Sequence, residues 1–174
     1  MFKHPCYVVL EIPDPVAAQV LALRRHYDAR LADFPAEITI AGSSGLGPLV
    51  AGQSETRVFE QLQTLAETHL PLASRFIGIR RFASGPVTWL QPADPAPFLA
   101  LHQALVDSNL AFHPHRFAYT PHCSLCTTEL PSVQQEQLLA EAIPSDAFTL
   151  GQLALYQVAE GRPELLLRFG QRLP

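Results

Sequence analysis

The sequence predicts an α+β protein built from two similar lobes. Two observations support this prediction. The order of elements expected in the first half (strand, helix, strand, helix, hairpin) is roughly repeated in the second half as helix, strand, helix and hairpin. In comparable places of the two halves, residues 37–40 and 122–125 alternate polar and apolar side chains, which is typical of a half-buried strand. We expect two pseudo-symmetric lobes, each an antiparallel-rich sheet with helices outside, and both motif strands lining one central cleft.

Proline and glycine divide the first half of the chain into elements. Residues 6–12 are β-rich and end at Pro13, so they predict the first strand. Apolar residues recur at steps of three or four from Val16 to about Asp33, which predicts a helix. The remaining expectations are a strand at 37–41, a flexible loop at 42–48, a helix capped by Ser54 that runs to about His69, and a hairpin of 75–82 with 87–90.

A proline-rich connection marks the expected change of lobes near residues 91–97, within one domain of residues 1–174. The second half then predicts a helix at 98–108, a loop containing His113 and His115, a strand starting at His122, a short helix at 132–142, a strand at 148–158, a turn at 161–163 and a strand at 164–169.

Length and charge limit the classes of ligand. The 174 residues, 48% of them hydrophobic, fit one domain with a substantial core. The formal net charge is -4, whereas a groove for duplex nucleic acid needs a basic surplus to neutralise phosphates. We therefore expect no duplex DNA partner, while a small phosphorylated ligand or an RNA end stays possible.

The sequence predicts a cytoplasmic monomer without a membrane segment. No apolar run approaches the roughly 18 residues of a spanning helix, and the N-terminus lacks the hydrophobic region of a signal peptide. The three cysteines Cys6, Cys123 and Cys126 form an odd, low count, which suits a reducing compartment. Strand alternation points the sulfurs of Cys123 and Cys126 apart and gives Cys126 the face of His122, so we expect no metal site there.

The stretch from Tyr119 to Leu125 carries the strongest chemical signal. On a strand, His122 and Ser124 point to the same side. An imidazole that titrates near neutral pH can move a proton, and a hydroxyl beside it can hold a phosphoryl oxygen. A strand-end histidine with a backbone partner would give the same pattern. Tyr119 beside the motif is a candidate for stacking a base.

An imperfect copy of this motif lies at residues 35–40. Glu37 takes the position of the histidine and Thr39 that of the hydroxyl, with apolar residues between and after them. A carboxyl group can serve as a general acid or base, but a carboxylate beside an anionic phosphate costs a few kcal/mol in a shielded site. A protonated Glu37 would avoid this repulsion if burial raised its pKa.

With these residues the chain resembles the two-histidine phosphoesterase superfamily, which includes the 2'-5' RNA ligase and cyclic phosphodiesterase group. That family carries one His-x-Thr/Ser motif in each lobe. The resemblance implies that His122 is catalytic and that Thr39 and Ser124 bind phosphoryl oxygens, without a metal or organic cofactor. Glu37 departs from the family pattern.

The resemblance implies a nucleotide or RNA end as the ligand, with a 2',3'-cyclic phosphate or a 2'-5' linkage. In the expected hydrolysis, Glu37 orients or deprotonates water while His122 exchanges a proton with the ribose oxygen. Three hypotheses remain for Glu37: an impaired enzyme, an enzyme with altered acid/base roles, or a nucleotide- or RNA-end-binding protein on the same fold.

Overall fold

The computed structural model describes Phe2 and residues 4–171. Residues 1, 3 and 172–174 of the predicted domain lie outside the described residues. The helices are α1 (Val16–Tyr27), α2 (Glu55–His69), α3 (Ala96–Val106) and α4 (Ser132–Ala140), with a short 3-10 turn at Leu31–Asp33. The strands are β1 (Cys6–Glu11), β2 (Glu37–Ala41), β3 (Leu46–Leu49), β4 (Leu72–Ser74), β5 (Phe76–Arg81), β6 (Thr88–Pro92), β7 (Phe112–Pro114), β8 (Cys123–Cys126), β9 (Phe148–Leu150), β10 (Gln152–Ala159) and β11 (Arg162–Gly170).

The strands form antiparallel sheets, which confirms the predicted α+β class. The largest sheet has the order β11-β10-β1-β3-β7, with β2 paired to β1 beside β3. A three-stranded sheet has the order β5-β6-β8, and β4 pairs with β9. Helices α2 and α3 pack against the large sheet, whereas α1 and α4 pack against the three-stranded sheet. The two motif strands, β2 and β8, lie next to each other where the two sheets meet.

Each of these two sheets takes strands from both halves of the chain. The C-terminal hairpin β10-β11 pairs with β1, and the hairpin β5-β6 of the first half pairs with β8 of the second. The lobes are therefore not successive segments that change over near residues 91–97. The sequence contains the repeated order of elements, but it does not show that the halves exchange their hairpins.

Several element boundaries differ from the sequence prediction. The first helix ends at Tyr27, because Asp28 leaves the helical conformation and its carboxylate accepts hydrogen bonds from the backbone N–H groups of Leu31 and Thr127. The expected loop at 42–48 contains β3, which pairs with β7. The strand expected at 148–158 is interrupted at Gly151, and its two parts join different sheets.

The motif strands form because apolar side chains alternate with the site residues. In β2, Ile38 and Ile40 are fully buried against the core, which turns Glu37 and Thr39 to the opposite face. In β8, the pairing with β6 contains a bulge after Ser124. The bulge buries Cys126, so the expectation that Cys126 shares the face of His122 is wrong.

A buried arginine on α1 connects the segments that carry the two motifs. Arg24 is 1% exposed. Its Nε donates to the carbonyl oxygen of Ser124 at 2.9 Å. Its Nη1 donates to the carbonyl oxygens of Phe34 and Pro35 at 3.1 and 2.9 Å. One guanidinium therefore satisfies backbone carbonyls just before β2 and inside β8, and its planar set of donors suits this bridging role.

We expect Arg24→Ala to lower the free energy of unfolding by about 3 kcal/mol or more, because it leaves several buried carbonyl groups without donors. Urea denaturation measures this loss. Arg25→Ala is the matched control, since Arg25 is the next residue of the same helix and is exposed. Equal stability of the two variants would contradict the bridging role of Arg24.

Candidate active site

His122 is the residue immediately before β8, which begins at Cys123. Its Nδ1 is 2.6 Å from the carbonyl oxygen of Thr120. Because a carbonyl oxygen can only accept, Nδ1 carries the proton, and in the neutral ring Nε2 holds the free lone pair. The rings of Phe82 and Trp89 meet His122 edge-on at 5.2 and 5.8 Å. These contacts fix both the tautomer and the orientation of the ring.

The enclosed position of His122 affects its charge. Burial lowers the pKa of His122 below its ordinary value, and the hydrogen bond to Thr120 opposes this effect only in part. His122 is therefore mostly neutral at pH 7. Its Nε2 is ready to accept a proton.

Glu37 and Thr39 occupy the corresponding face of β2. The hydroxyl of Thr39 donates to the two carboxyl oxygens of Glu37, at 3.1 and 2.9 Å. Burial raises the pKa of Glu37 to about 7, although the charge of Arg24 and the hydrogen bond from Thr39 act in the opposite direction. Near neutral pH, Glu37 is therefore present in both its protonated and its ionised form.

A second carboxyl group lies opposite Glu37 and behaves differently. Glu11 is the cross-strand partner of Glu37 on β1. Burial alone would raise the pKa of Glu11, but hydrogen bonds from Arg168 and Tyr156 and the charge of Arg168 outweigh it and lower the pKa. Glu11 stays ionised while Glu37 titrates near neutral pH. Such a separation of two carboxyl groups is typical of acid/base sites.

The site residues line two adjoining cavities. The larger, of about 540 Å³, is lined by His122 and Ser124, and the smaller, of about 300 Å³, is lined by Glu37, Thr39 and Ser124. Ser43 and Ser124 belong to both linings, so the cavities meet at these two residues. Ser124 thus lies between the acid/base groups of the two motifs.

Aromatic and apolar side chains form much of both walls. Phe82 and Phe117 line the larger cavity, and Tyr7 and Tyr156 line the smaller. Phe82, Tyr7, Tyr156 and Ser43 were not predicted as site residues from the sequence. Tyr7 shows no motif of its own and reaches the site because β1 pairs with β2, a pairing that is not visible in the local sequence.

Tyr119 lines neither cavity. Its ring stacks on His102 with the centroids 3.9 Å apart, and its hydroxyl donates to the carbonyl oxygen of Thr39 at 3.1 Å. His102 is 2.8 Å from the carbonyl oxygen of Ile40 through its Nδ1. These contacts give Tyr119 a role in holding β2. Stacking of a base on Tyr119 stays a prediction.

The cysteines and histidines beside the motif do not assemble into a metal centre. Cys123 and Cys126 are free and buried, with Cys123 near the guanidinium of Arg24 and Cys126 near the carbonyl oxygen of Tyr27. Among the described residues, no group of three histidine, cysteine or acidic side chains could hold a metal ion. In the same part of the chain, no helix combines the length and apolar character needed to cross a bilayer.

The family model of the 2'-5' RNA ligase superfamily matches residues 12–162. The chain belongs to this superfamily. The fold is similar to that of two solved structures. E. coli LigT complexed with 3'-AMP has a TM-score of 0.64 at 17% identity, covering 96% of this chain and 97% of LigT. TT0787 of Thermus thermophilus has a TM-score of 0.64 at 16% identity, covering 95% of this chain and 97% of TT0787. No curated protein matches the sequence.

Membership in the 2'-5' RNA ligase superfamily gives the chain a general phosphoesterase- or ligase-like function, since the family and fold are those of two-histidine phosphoesterases, which are generally enzymes. Structures of E. coli LigT contain 3'-AMP or ATP.

The titration of Glu37 predicts that stability depends on pH. The folded protein holds this proton more tightly than the unfolded chain, so its stability falls as the pH rises from about 4.5 to about 7. Glu37→Gln removes the titration and keeps an acceptor for Thr39. As the pH rises from 5 to 8, the free energy of unfolding of the variant should increase relative to that of the unsubstituted protein by on the order of 2 kcal/mol.

Urea denaturation at both pH values measures this difference. Glu136→Gln on the exposed face of α4 is the control, for which we expect the same stability difference at pH 5 and pH 8. A pH-independent effect of Glu37→Gln would show that Glu37 is already ionised at pH 5.

Proposed function

We propose that this protein is a metal-independent phosphodiesterase of the 2'-5' RNA ligase type. Its substrates are nucleotides or RNA ends with a 2',3'-cyclic phosphate or a 2'-5' linkage. The observation that carries the proposal is the position of His122 and Glu37 in adjoining cavities that meet at Ser124. In-line displacement at phosphorus needs one proton acceptor and one proton donor on opposite sides of the phosphoryl group, and the placement of the two side chains in different cavities supports these roles.

The protonation states favour His122 as the base and Glu37 as the acid. At pH 7 the neutral His122 offers Nε2 as an acceptor, and a large share of Glu37 is protonated. Glu37 was expected from the sequence to orient or deprotonate water. The opposite assignment needs an ionised Glu37 together with a protonated His122, and the two shifted pKa values make that combination rare.

The hydrolytic step balances in protons and bonds. His122 accepts a proton from water, the water oxygen forms a bond to phosphorus, and the bond from phosphorus to the ribose oxygen breaks. Glu37 gives its proton to that ribose oxygen. The hydroxyls of Thr39 and Ser124 hold the non-bridging oxygens, where negative charge increases in the transition state.

The two-sided cleft favours a 2'-5'-linked diester over a cyclic mononucleotide. A diester has a nucleoside on each side of the phosphorus, and both cavities have aromatic walls that suit a base, with Phe82 and Phe117 on one side and Tyr7 and Tyr156 on the other. A cyclic mononucleotide fills one side only. Monomeric state and cytoplasmic location also belong to this proposal.

A binding protein on the same fold is the second candidate, and one observation favours it. Ionised Glu37 repels an anionic phosphate, and the guanidinium donors of Arg24 are engaged by backbone carbonyl groups rather than turned to a ligand. In this hypothesis the cleft binds a nucleotide or RNA end without converting it.

The deciding experiment is product formation by the purified protein from the four 2',3'-cyclic nucleotides and from 2'-5'-linked diadenosine. We expect turnover, with a larger kcat/KM for the dinucleotide, and a loss of about 10²-fold or more in His122→Ala, which removes the general base. Turnover that equals the background of His122→Ala on every substrate would leave the binding protein as the better hypothesis.

The proposed roles also predict a bell-shaped dependence of kcat/KM on pH. Activity should rise as His122 loses its proton, below its ordinary pKa, and should fall as Glu37 ionises near pH 7. Glu37→Gln cannot donate this proton, so its kcat/KM should be much lower. The activity that remains should show no fall near pH 7.

Glu37→His is the companion variant, because it restores the family's acid/base group. We expect it to remain active with a changed alkaline limb. An alkaline limb that persists unchanged in Glu37→His would mean that another group titrates there. Inactivity of both the unsubstituted protein and Glu37→His would favour the binding protein over the enzyme.

A further inference from the structure

The segment from Gly42 to Gly45 forms a fixed arch over the cleft, although the sequence predicts a flexible loop there. The N–H of Gly42 donates to the carbonyl oxygen of Leu46 at 2.8 Å, and that of Gly45 donates to the carbonyl oxygen of Phe117 at 2.8 Å. Both glycines have positive φ, 141° and 67°, which side chains rarely adopt. The arch is therefore held at both ends.

Close packing on both flanks adds to this fixation. A Cβ atom on Gly45 would lie 2.5 Å from the ring of His102 and 2.7 Å from the Cβ of Tyr119. A Cβ atom on Gly42 would collide with the ring of Tyr7. The arch thus rests on the His102–Tyr119 stack at one end and on β1 at the other, and it presents the two residues between the glycines in defined positions.

Those two residues are Ser43, which is exposed, and Ser44, which is buried. Ser43 lines both cavities, together with Ser124. Ser44 lines only the larger cavity, and its Oγ is buried without a partner. The exposed hydroxyl of Ser43 is held on this arch where the two cavities join, so a ligand in the cleft can reach it.

The position of Ser43 indicates which part of the ligand it meets. If the base and the acid lie in different cavities, the phosphorus lies where the cavities join. Ser43 and Ser124 are the residues that both linings share. We propose that the hydroxyl of Ser43 donates a hydrogen bond to a non-bridging phosphoryl oxygen, opposite Ser124. This inference rests on the proposed function and adds a phosphate-binding residue outside the two motifs.

The chemistry of the junction suits neutral donors. Hydrogen bonds from hydroxyls to an anionic oxygen are stronger than those between neutral groups, so a third hydroxyl contributes measurably to phosphate affinity. It does so without a cation, whose charge would lower the pKa of the neighbouring Glu37 and keep it ionised.

Isothermal titration with 2'-AMP and with adenosine tests the proposal. The ratio is the dissociation constant of adenosine divided by that of 2'-AMP, and it reports the contribution of the phosphate to affinity. It is measured at pH 6, where Glu37 is largely protonated. We expect Ser43→Ala to reduce this ratio about tenfold, since a hydrogen bond to a charged group is lost. Ser43→Thr should restore most of the ratio. Ser132→Ala, at the exposed start of α4 and outside both linings, should keep it.

Each outcome separates this inference from the proposed catalytic function. A tenfold smaller ratio in Ser43→Ala supports the phosphate contact even if no substrate turns over. An unchanged ratio in Ser43→Ala overturns the contact even if turnover depends on His122. A ratio near one in the unsubstituted protein overturns it as well, because no phosphate is then recognised. Equal losses for 2'-AMP and adenosine in Ser43→Ala would overturn it too, since they would mean that the arch has changed its shape.

Discussion

The guanidinium of Arg24 holds the two halves of the candidate site together. It donates to the carbonyl of Ser124 in β8 and to the carbonyls of Phe34 and Pro35 before β2, so the distance between the two motif strands depends on one buried side chain. The same charge lowers the pKa of Glu37 and limits the effect of burial. Arg24 therefore sets both the geometry of the cleft and part of its electrostatics. Its donors are taken up by the backbone, so in the proposed function the cleft recognises an anion mainly through neutral groups.

The exchange of hairpins explains how the two short motif strands are held in position. Strand β2 is paired with β1, which is supported by the C-terminal hairpin, and β8 is paired with β6 from the first half of the chain. Each motif strand thus depends on pairings with the other half. These long-range pairings place Tyr7 and Tyr156 beside Glu37, although more than a hundred residues separate Tyr156 from Glu37 in sequence.

Local patterns in the sequence predicted most elements and the motif positions, because periodicity and alternation are local properties. The exchanged hairpins, the arch and the bridging arginine depend on distant partners. Arg24 did leave a signal, since it lies on the apolar face of α1 with Val16, Val20 and Tyr27, where a charged residue is unusual. Ser43 left none. Its position is fixed by the hydrogen bond from Gly45 to the carbonyl of Phe117 and by packing that the local sequence does not contain.

In the proposed function, Glu37 takes the position of the family's first histidine, and this changes the charge of the site more than its proton chemistry. A protonated carboxyl group can donate a proton as an imidazolium does, but it brings no positive charge to a phosphate. A site built in this way needs other donors for the phosphoryl oxygens, and in the proposed function the hydroxyls at positions 39, 43 and 124 supply them from three segments of the chain. Ionisation of Glu37 removes the donor and adds repulsion in the same step. Burial of Glu37, which raises its pKa, is therefore a requirement of this chemistry.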